Sequence, residues 1–117
     1  MTYPSSDRRR ATRFHKALTL HYRLHGGEGE WKMVLLANLS TNGARFMSED
    51  AFEVDTLLEC LIGLPSAQRV EAIGRVVWNK KLGTQFVDYG VQFKYISAEN
   101  KEALRTTLEE LDHDRTR

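Results

Sequence analysis

The 117-residue chain has one cysteine, Cys60, and it sits inside the apolar run LLECLIGL. No internal disulfide is possible, so a packed core must hold the fold, and a reducing cytoplasm is the expected setting. No stretch approaches the roughly 20 consecutive apolar residues that span a bilayer as a helix. The start, MTYPSSDRRR, is charged and leads into no apolar segment of the secretory kind. Cytoplasmic residence without membrane insertion is therefore expected. Phosphate-cradling loops are missing too, since GGEG at 26–29 is followed by no lysine and opens no helix. Of the four histidines, His21 and His25 share one face of an alternating segment. That spacing on a strand is about 13 Å, too far to share an ion, and no cysteine or carboxylate stands at ligand spacing. Cys60 reads as a core residue rather than a nucleophile. Neither metal, cofactor nor enzymatic activity is indicated.

What the chain does have is a charge asymmetry. The net charge is only +1, yet residues 1–25 carry Arg8, Arg9, Arg10, Arg13, Lys16 and Arg23 against Asp7 alone. Four of these arginines fall within DRRRATRF at 7–14. A positive end on a mildly acidic remainder suggests an anionic partner met at one place. The length and the 41% hydrophobic, 28% charged composition fit one soluble domain, and no repeat or low-complexity tract divides it.

After the arginines, HKALTLHYRLHG alternates, with Leu18, Leu20, Tyr22 and Leu24 on one face and Thr19, His21 and Arg23 on the other. That is the period of a half-buried strand. WKMVLLANLS, ARFMS, TLLECLIGL, VEAIGRVVWNK and FVDYGVQFKYI read as five more strands, and Val91, Phe93 and Tyr95 alternate in the last. Asn42-Gly43 is a tight-turn signal, because both residues tolerate positive φ. Six short strands with turns between them predict a small antiparallel barrel or sandwich. From Ser97, a candidate N-cap, Leu104, Leu108 and Leu111 follow at helical spacing and predict one amphipathic helix. The expected layout is an arginine-rich arm over 1–14, a barrel over 15–96, and a helix over 97–112 with a frayed end, in a single domain.

Arg9 and Arg13 are spaced RxxxR, and NLSTNG at 38–43 supplies Asn38, Ser40 and Gly43 spaced NxSxxG. This pair in this order resembles the PilZ domain, the bacterial receptor module for the second messenger cyclic di-GMP. IGRVVW at 73–78 and YGVQF at 89–93 look like later strands of that family, and the helix is in the expected place. The resemblance implies an all-β core with one helix, a six-stranded antiparallel PilZ-type barrel followed by an amphipathic C-terminal helix.

It also implies a ligand, cyclic di-GMP, with Arg9 and Arg13 as principal clamps and Arg8 and Arg10 beside them. The residue types suit that ligand. An arginine fork fits phosphate oxygens or the O6/N7 edge of guanine, and its guanidinium plane stacks on a purine. Asn38 stands where the family has Asp or Asn and can accept from a guanine N–H. Ser40 can bond the base, and Gly43 would let the backbone approach the ligand. Trp78 is either a core or rim aromatic or a stacking partner. The implied protein is a receptor or adaptor whose arm folds onto the ligand and presents a changed surface to a separate, unidentified protein. Two other readings stand beside it. One is a PilZ interaction module that binds no ligand; the other is a small nucleic-acid-binding barrel. The strand faces lack the stripe of paired aromatics and lysines that nucleic acid would need, so none is expected as partner.

Overall fold

The computed structural model describes residues 18–27 and 29–115, with side chains to residue 111. Six strands follow in order: β1 (Thr19–Leu24), β2 (Lys32–Leu39), β3 (Gly43–Ser48), β4 (Leu57–Gly63), β5 (Arg69–Leu82) and β6 (Phe86–Ile96). They close a barrel in the order β1-β2-β3-β6-β5-β4, every neighbouring pair antiparallel. Closure leaves no strand edge among the six without a neighbour. α1 (Ala98–Arg115) follows β6 directly and runs three residues past the end expected from the leucine spacing.

The alternating residues supply the interior. Leu20, Tyr22, Leu36, Leu39, Phe46, Leu58, Cys60, Ile62, Val70, Val76, Tyr89 and Val91 are buried, and Leu104 and Leu108 of α1 join them. The helix starts where Ser97 suggested: its Oγ accepts from the Asn100 N–H at 3.0 Å, satisfying one of the free donors of the first turn. Asn100 Nδ2 also donates to the Glu71 carbonyl, tying the first turn to β5. Burial pushes the Cys60 thiol up to about 12, which leaves it a protonated packing group.

One end of the barrel is aromatic. Tyr22, Phe46, Phe52 and Tyr89 lie with ring centroids 5.4–5.7 Å apart. The two tyrosine hydroxyls fasten the connection between β3 and β4. Tyr22 donates to Asp50 Oδ2 at 2.7 Å and pairs with Ser48 Oγ, and the Tyr89 hydroxyl donates to the Asp50 carbonyl and accepts from the Phe52 N–H. Lys32 Nζ holds the other Asp50 oxygen at 2.6 Å. Burial raises the Tyr22 phenol well above its ordinary value, with the Asp50 carboxylate adding to the effect. Burial acts to raise Asp50 as well, but the bonds from Lys32 and Tyr22 outweigh it and hold the carboxyl below the usual range.

Two residues of the alternation depart from it. Leu24 ends β1 where the chain leaves the barrel for the Gly26 turn, and it is 51% exposed. Tyr95 is 67% exposed because the β5–β6 register shifts between Ile73 and Gly74. Gly74 faces Phe93 and Ile73 faces Tyr95, so Lys94 is an extra residue that turns Tyr95 outward.

Candidate ligand site

Two further bulges shape one side of the barrel. Between Leu36 and Asn38 the β2–β3 register slips, so that Ala37 is inserted and Asn38 lies opposite Arg45. Plain alternation from buried Leu36 would have sent Asn38 into the core; the bulge sends it out while Leu39 remains buried. The same occurs between Val76 and Trp78, where Trp78 comes to lie opposite Gly90. The outward row therefore reads Asn38, Arg45, Gly90, Trp78 across β2, β3, β6 and β5.

That row forms part of a shallow depression of about 480 Å³ which also takes in Ser40, Gly43, Val77 and Gln92. Of the residues singled out in the sequence, it brings together Asn38, Ser40, Gly43 and Trp78. Among the described residues its wall contains no aspartate or glutamate. Arg8, Arg9, Arg10 and Arg13 lie outside the described residues.

The local reasons for these residues differ from those read in the sequence. Positive φ among the described residues occurs at Gly26, Asp55, Ala67 and Gly83, not at Asn42 or Gly43. The β2–β3 turn is instead organised by Ser40, whose Oγ accepts from the N–H groups of Asn42 and Gly43 at 3.1 and 3.2 Å. The Ser40 N–H donates to the Gly43 carbonyl at 2.9 Å. Ser40 is thus first a turn-forming hydroxyl. Gly43 is required by β6: a Cβ there would stand 2.1 Å from the Val91 carbonyl oxygen. Gly90 is required by Trp78, since its Cβ would stand 2.0 Å from the indole Nε1. The indole lies over the bare backbone of Gly90 and is partly exposed, so Trp78 is a surface aromatic at the wall and no core residue.

Two arginines outside the sequence motifs flank this surface, and they are held very differently. Arg45 lines the depression and grips Asp88 with Nε and Nη2, at 2.8–3.2 Å. The Asp88 side chain is only 5% exposed. Withdrawing Arg45 would strand a buried carboxylate, which costs about 3–5 kcal/mol. Arg75 lies one strand beyond Gln92, and Gln92 in turn lies opposite Gly43. Its one ion pair among the described residues is Nη1 to Asp55 Oδ1 at 3.7 Å. The Asp55 side chain is 75% exposed, and a pair of that kind contributes at most about 1 kcal/mol. Neither difference is visible in the sequence, because the partners stand 20 and 43 residues away.

A larger depression, about 670 Å³, lies elsewhere on the barrel, against β1, β4, β5 and the start of α1. Of its charges, Arg23 and Glu59 satisfy one another. Arg23 Nε donates to Glu59 at 2.7 Å and the guanidinium lies 4.3 Å from the Trp31 ring centroid. Arg23, then the Gly26 N–H, hold the Glu59 carboxyl below its usual range. An anion entering there would meet the engaged Arg23 and the carboxylates of Glu59 and Glu71, with Lys94 of β6 at the wall. No group of three or more His, Cys, Asp or Glu able to hold a metal occurs among the described residues. No helix among them is long and apolar enough to cross a membrane.

The PilZ domain family matches residues 7–110, and the chain belongs to that family. The solved PilZ domain of Escherichia coli YcgR with c-di-GMP superposes with a TM-score of 0.70 at 14% identity, covering 92% of this chain and 94% of that one. Bacillus subtilis MotI/DgrA, an inhibitor of motility, gives 0.77 at 18% identity over 92% of this chain and 52% of that one. Apo MrkH of K. pneumonia gives 0.78 at 15% identity over 99% of this chain and 56% of that one. The chain thus spans about half the length of these last two, and what all three share with it is the fold. No curated protein matches at the sequence level. The expected six-stranded antiparallel barrel with one C-terminal helix is the observed architecture. PilZ domains are receptor and adaptor domains.

Proposed function

We propose that the chain is a cyclic di-GMP receptor that acts as an adaptor, with no catalytic role, in the cytoplasm. The observation that carries this is the depression at Asn38, Ser40, Gly43 and Trp78: its described wall is free of carboxylates, it offers an indole face, and β2 beside it bonds the start of the described chain. The Leu18 carbonyl accepts from the Leu36 N–H at 2.8 Å, two residues from Asn38. Arg13 is five residues before Leu18, within about 17 Å of extended chain. The RxxxR arginines can therefore reach the depression from β1. They would supply the positive charge and planar donor forks that two phosphates and two guanines require. Asn38 would accept from a guanine N–H, and the exposed indole of Trp78 would stack on a base.

In this reading the arm, with Arg8, Arg9, Arg10 and Arg13, folds over the ligand, and the altered surface is read by a separate protein. The titration that tests it is calorimetric, with cyclic di-GMP added to the wild-type chain and to Arg13→Ala. Saturable binding is expected for the wild type, weakened by added salt as phosphate contacts are screened, and at least a hundredfold weaker in the variant. A folded wild type that gives no saturation would overturn the proposal.

A further inference from the structure

The geometry points to Arg75 as a further ligand-binding residue, one that exchanges its loose pairing with Asp55 for an anionic oxygen or a guanine edge of the bound cyclic di-GMP. The inference rests on the receptor reading above and extends it to a strand that neither sequence motif touches. Arg75 Nε is buried and has no hydrogen-bond partner among the described residues. A buried donor left unmatched is unfavourable and calls for a partner. The guanidinium is only partly exposed, and its contact with Asp55, at 3.7 Å, is too long for a hydrogen bond.

The location fits. Gly43, Gln92 and Arg75 form one outward row across β3, β6 and β5, next to the row of Asn38, Arg45, Gly90 and Trp78. With strands about 4.8 Å apart, the Arg75 Cα stands about 10 Å from that of Gly43. A ligand seated on Gly43 and Gln92 is then within reach of a long side chain turning from the β4 side to the β6 side.

The release of Asp55 is easy to accommodate. Its backbone stays fixed whatever its carboxylate does, because its N–H donates to the Val76 carbonyl at 2.7 Å. The carboxylate, largely exposed, exchanges a distant guanidinium for water. Arg45 cannot make the same move without stranding buried Asp88, so of the two flanking arginines Arg75 is the one able to turn.

The test uses the full chain and cyclic di-GMP, with Arg75→Ala, Arg75→Lys and Asp55→Asn compared with wild type by calorimetry. Asparagine is chosen because Asp55 has φ of 78°, a conformation that asparagine tolerates. Arg75→Ala is expected to weaken binding at least tenfold and Arg75→Lys about three- to fivefold, since lysine keeps the charge but loses the fork. Asp55→Asn should tighten binding two- to threefold by removing the competing carboxylate. A purely structural Arg75–Asp55 pair would give no tightening. Nitrogen-15 NMR of the arginine Nε–H groups gives a direct reading: the Arg75 resonance should shift on saturation. If Arg75→Ala does not fold, Arg75→Lys and Asp55→Asn decide. Wild-type saturation with all variants within twofold and an unmoved Arg75 resonance would overturn this inference alone. Failure of the wild type to saturate would overturn both it and the receptor reading.

Discussion

The two sides of this barrel are built differently. On one, β1, β4 and the first half of β5 form an unbroken ladder: six pairs join β1 to β4 and seven join β4 to β5 with no register shift. Their outward residues, such as Arg23 and Glu59, satisfy each other across the strands. On the other, the β2–β3 and β5–β6 pairings carry bulges at Ala37, Val77 and Lys94, and three glycines, Gly43, Gly74 and Gly90, are demanded by contacts between β6 and its neighbours. The regular side contributes stability through alternation alone. The irregular side turns polar and aromatic residues outward at the expense of ladder regularity, as bulges beside binding sites do. The larger hollow holds the engaged Arg23–Glu59 pair and a further carboxylate, Glu71; the smaller one lies where the backbone has been re-aimed at Asn38 and Trp78.

The comparison breaks most visibly at Gly43. Gly43→Ala sets a methyl against a backbone oxygen, so β3 and β6 must part. A loss of about 3 kcal/mol is expected, a fall in Tm of roughly 10–20 °C, measurable by thermal melting. An unchanged Tm would mean that the tight β3–β6 approach is not maintained in solution.

Tyr22 ties the two sides together, since it is placed by β1 and bonds to Ser48 and Asp50 at the end of β3. Tyr22→Phe should cost about 1–2 kcal/mol. Its raised phenol pKa also sets a direction with pH. The stabilisation is fully present below the unfolded value of about 10 and is lost as pH rises through the higher folded value. Urea titrations from pH 8 to 11 should show a decline in the wild type that is shallower in Tyr22→Phe. Parallel slopes would remove Tyr22 as the cause.

Gly90→Ala separates site from scaffold. The added methyl collides with a side chain rather than with backbone, so the indole must lift. Cyclic di-GMP affinity should fall about fivefold, roughly 1 kcal/mol, while Tm drops less than in Gly43→Ala. Equal affinity would remove Trp78 from the ligand surface. The smallest effect belongs to the regular side. Glu59→Gln should leave cyclic di-GMP affinity within twofold. It should also flatten the acid limb of stability, because a lowered carboxyl stabilises above its unfolded value of about 4.3 and loses that effect as pH falls through the folded one. A tenfold loss of binding would move the site to the other depression.

Much of the scaffold was legible along the chain. Alternation in the first and last strands and short apolar segments between turn signals located all six strands, and Ser97 with Leu104 and Leu108 located the helix, because these are local effects. The misreadings cluster where a partner strand intervenes. Tyr95 looked inward until Lys94 proved to be an extra residue, and Leu24 looked buried although it ends its strand at the barrel mouth. Asn42-Gly43 looked like a positive-φ turn, whereas the Ser40 hydroxyl forms it.

By itself, then, the sequence determined the strand count, the interior residues, the helix and the motif residues Asn38, Ser40 and Gly43, all through patterns a few residues long. The tertiary structure decided which way Asn38 and Trp78 face, since a bulge is defined only against the opposite strand. It also decided why Gly43 and Gly90 must lack a Cβ. Finally, it decided which arginine is locked and which is able to turn, because Arg45 found a buried carboxylate on β6 and Arg75 an exposed one at the end of a loop.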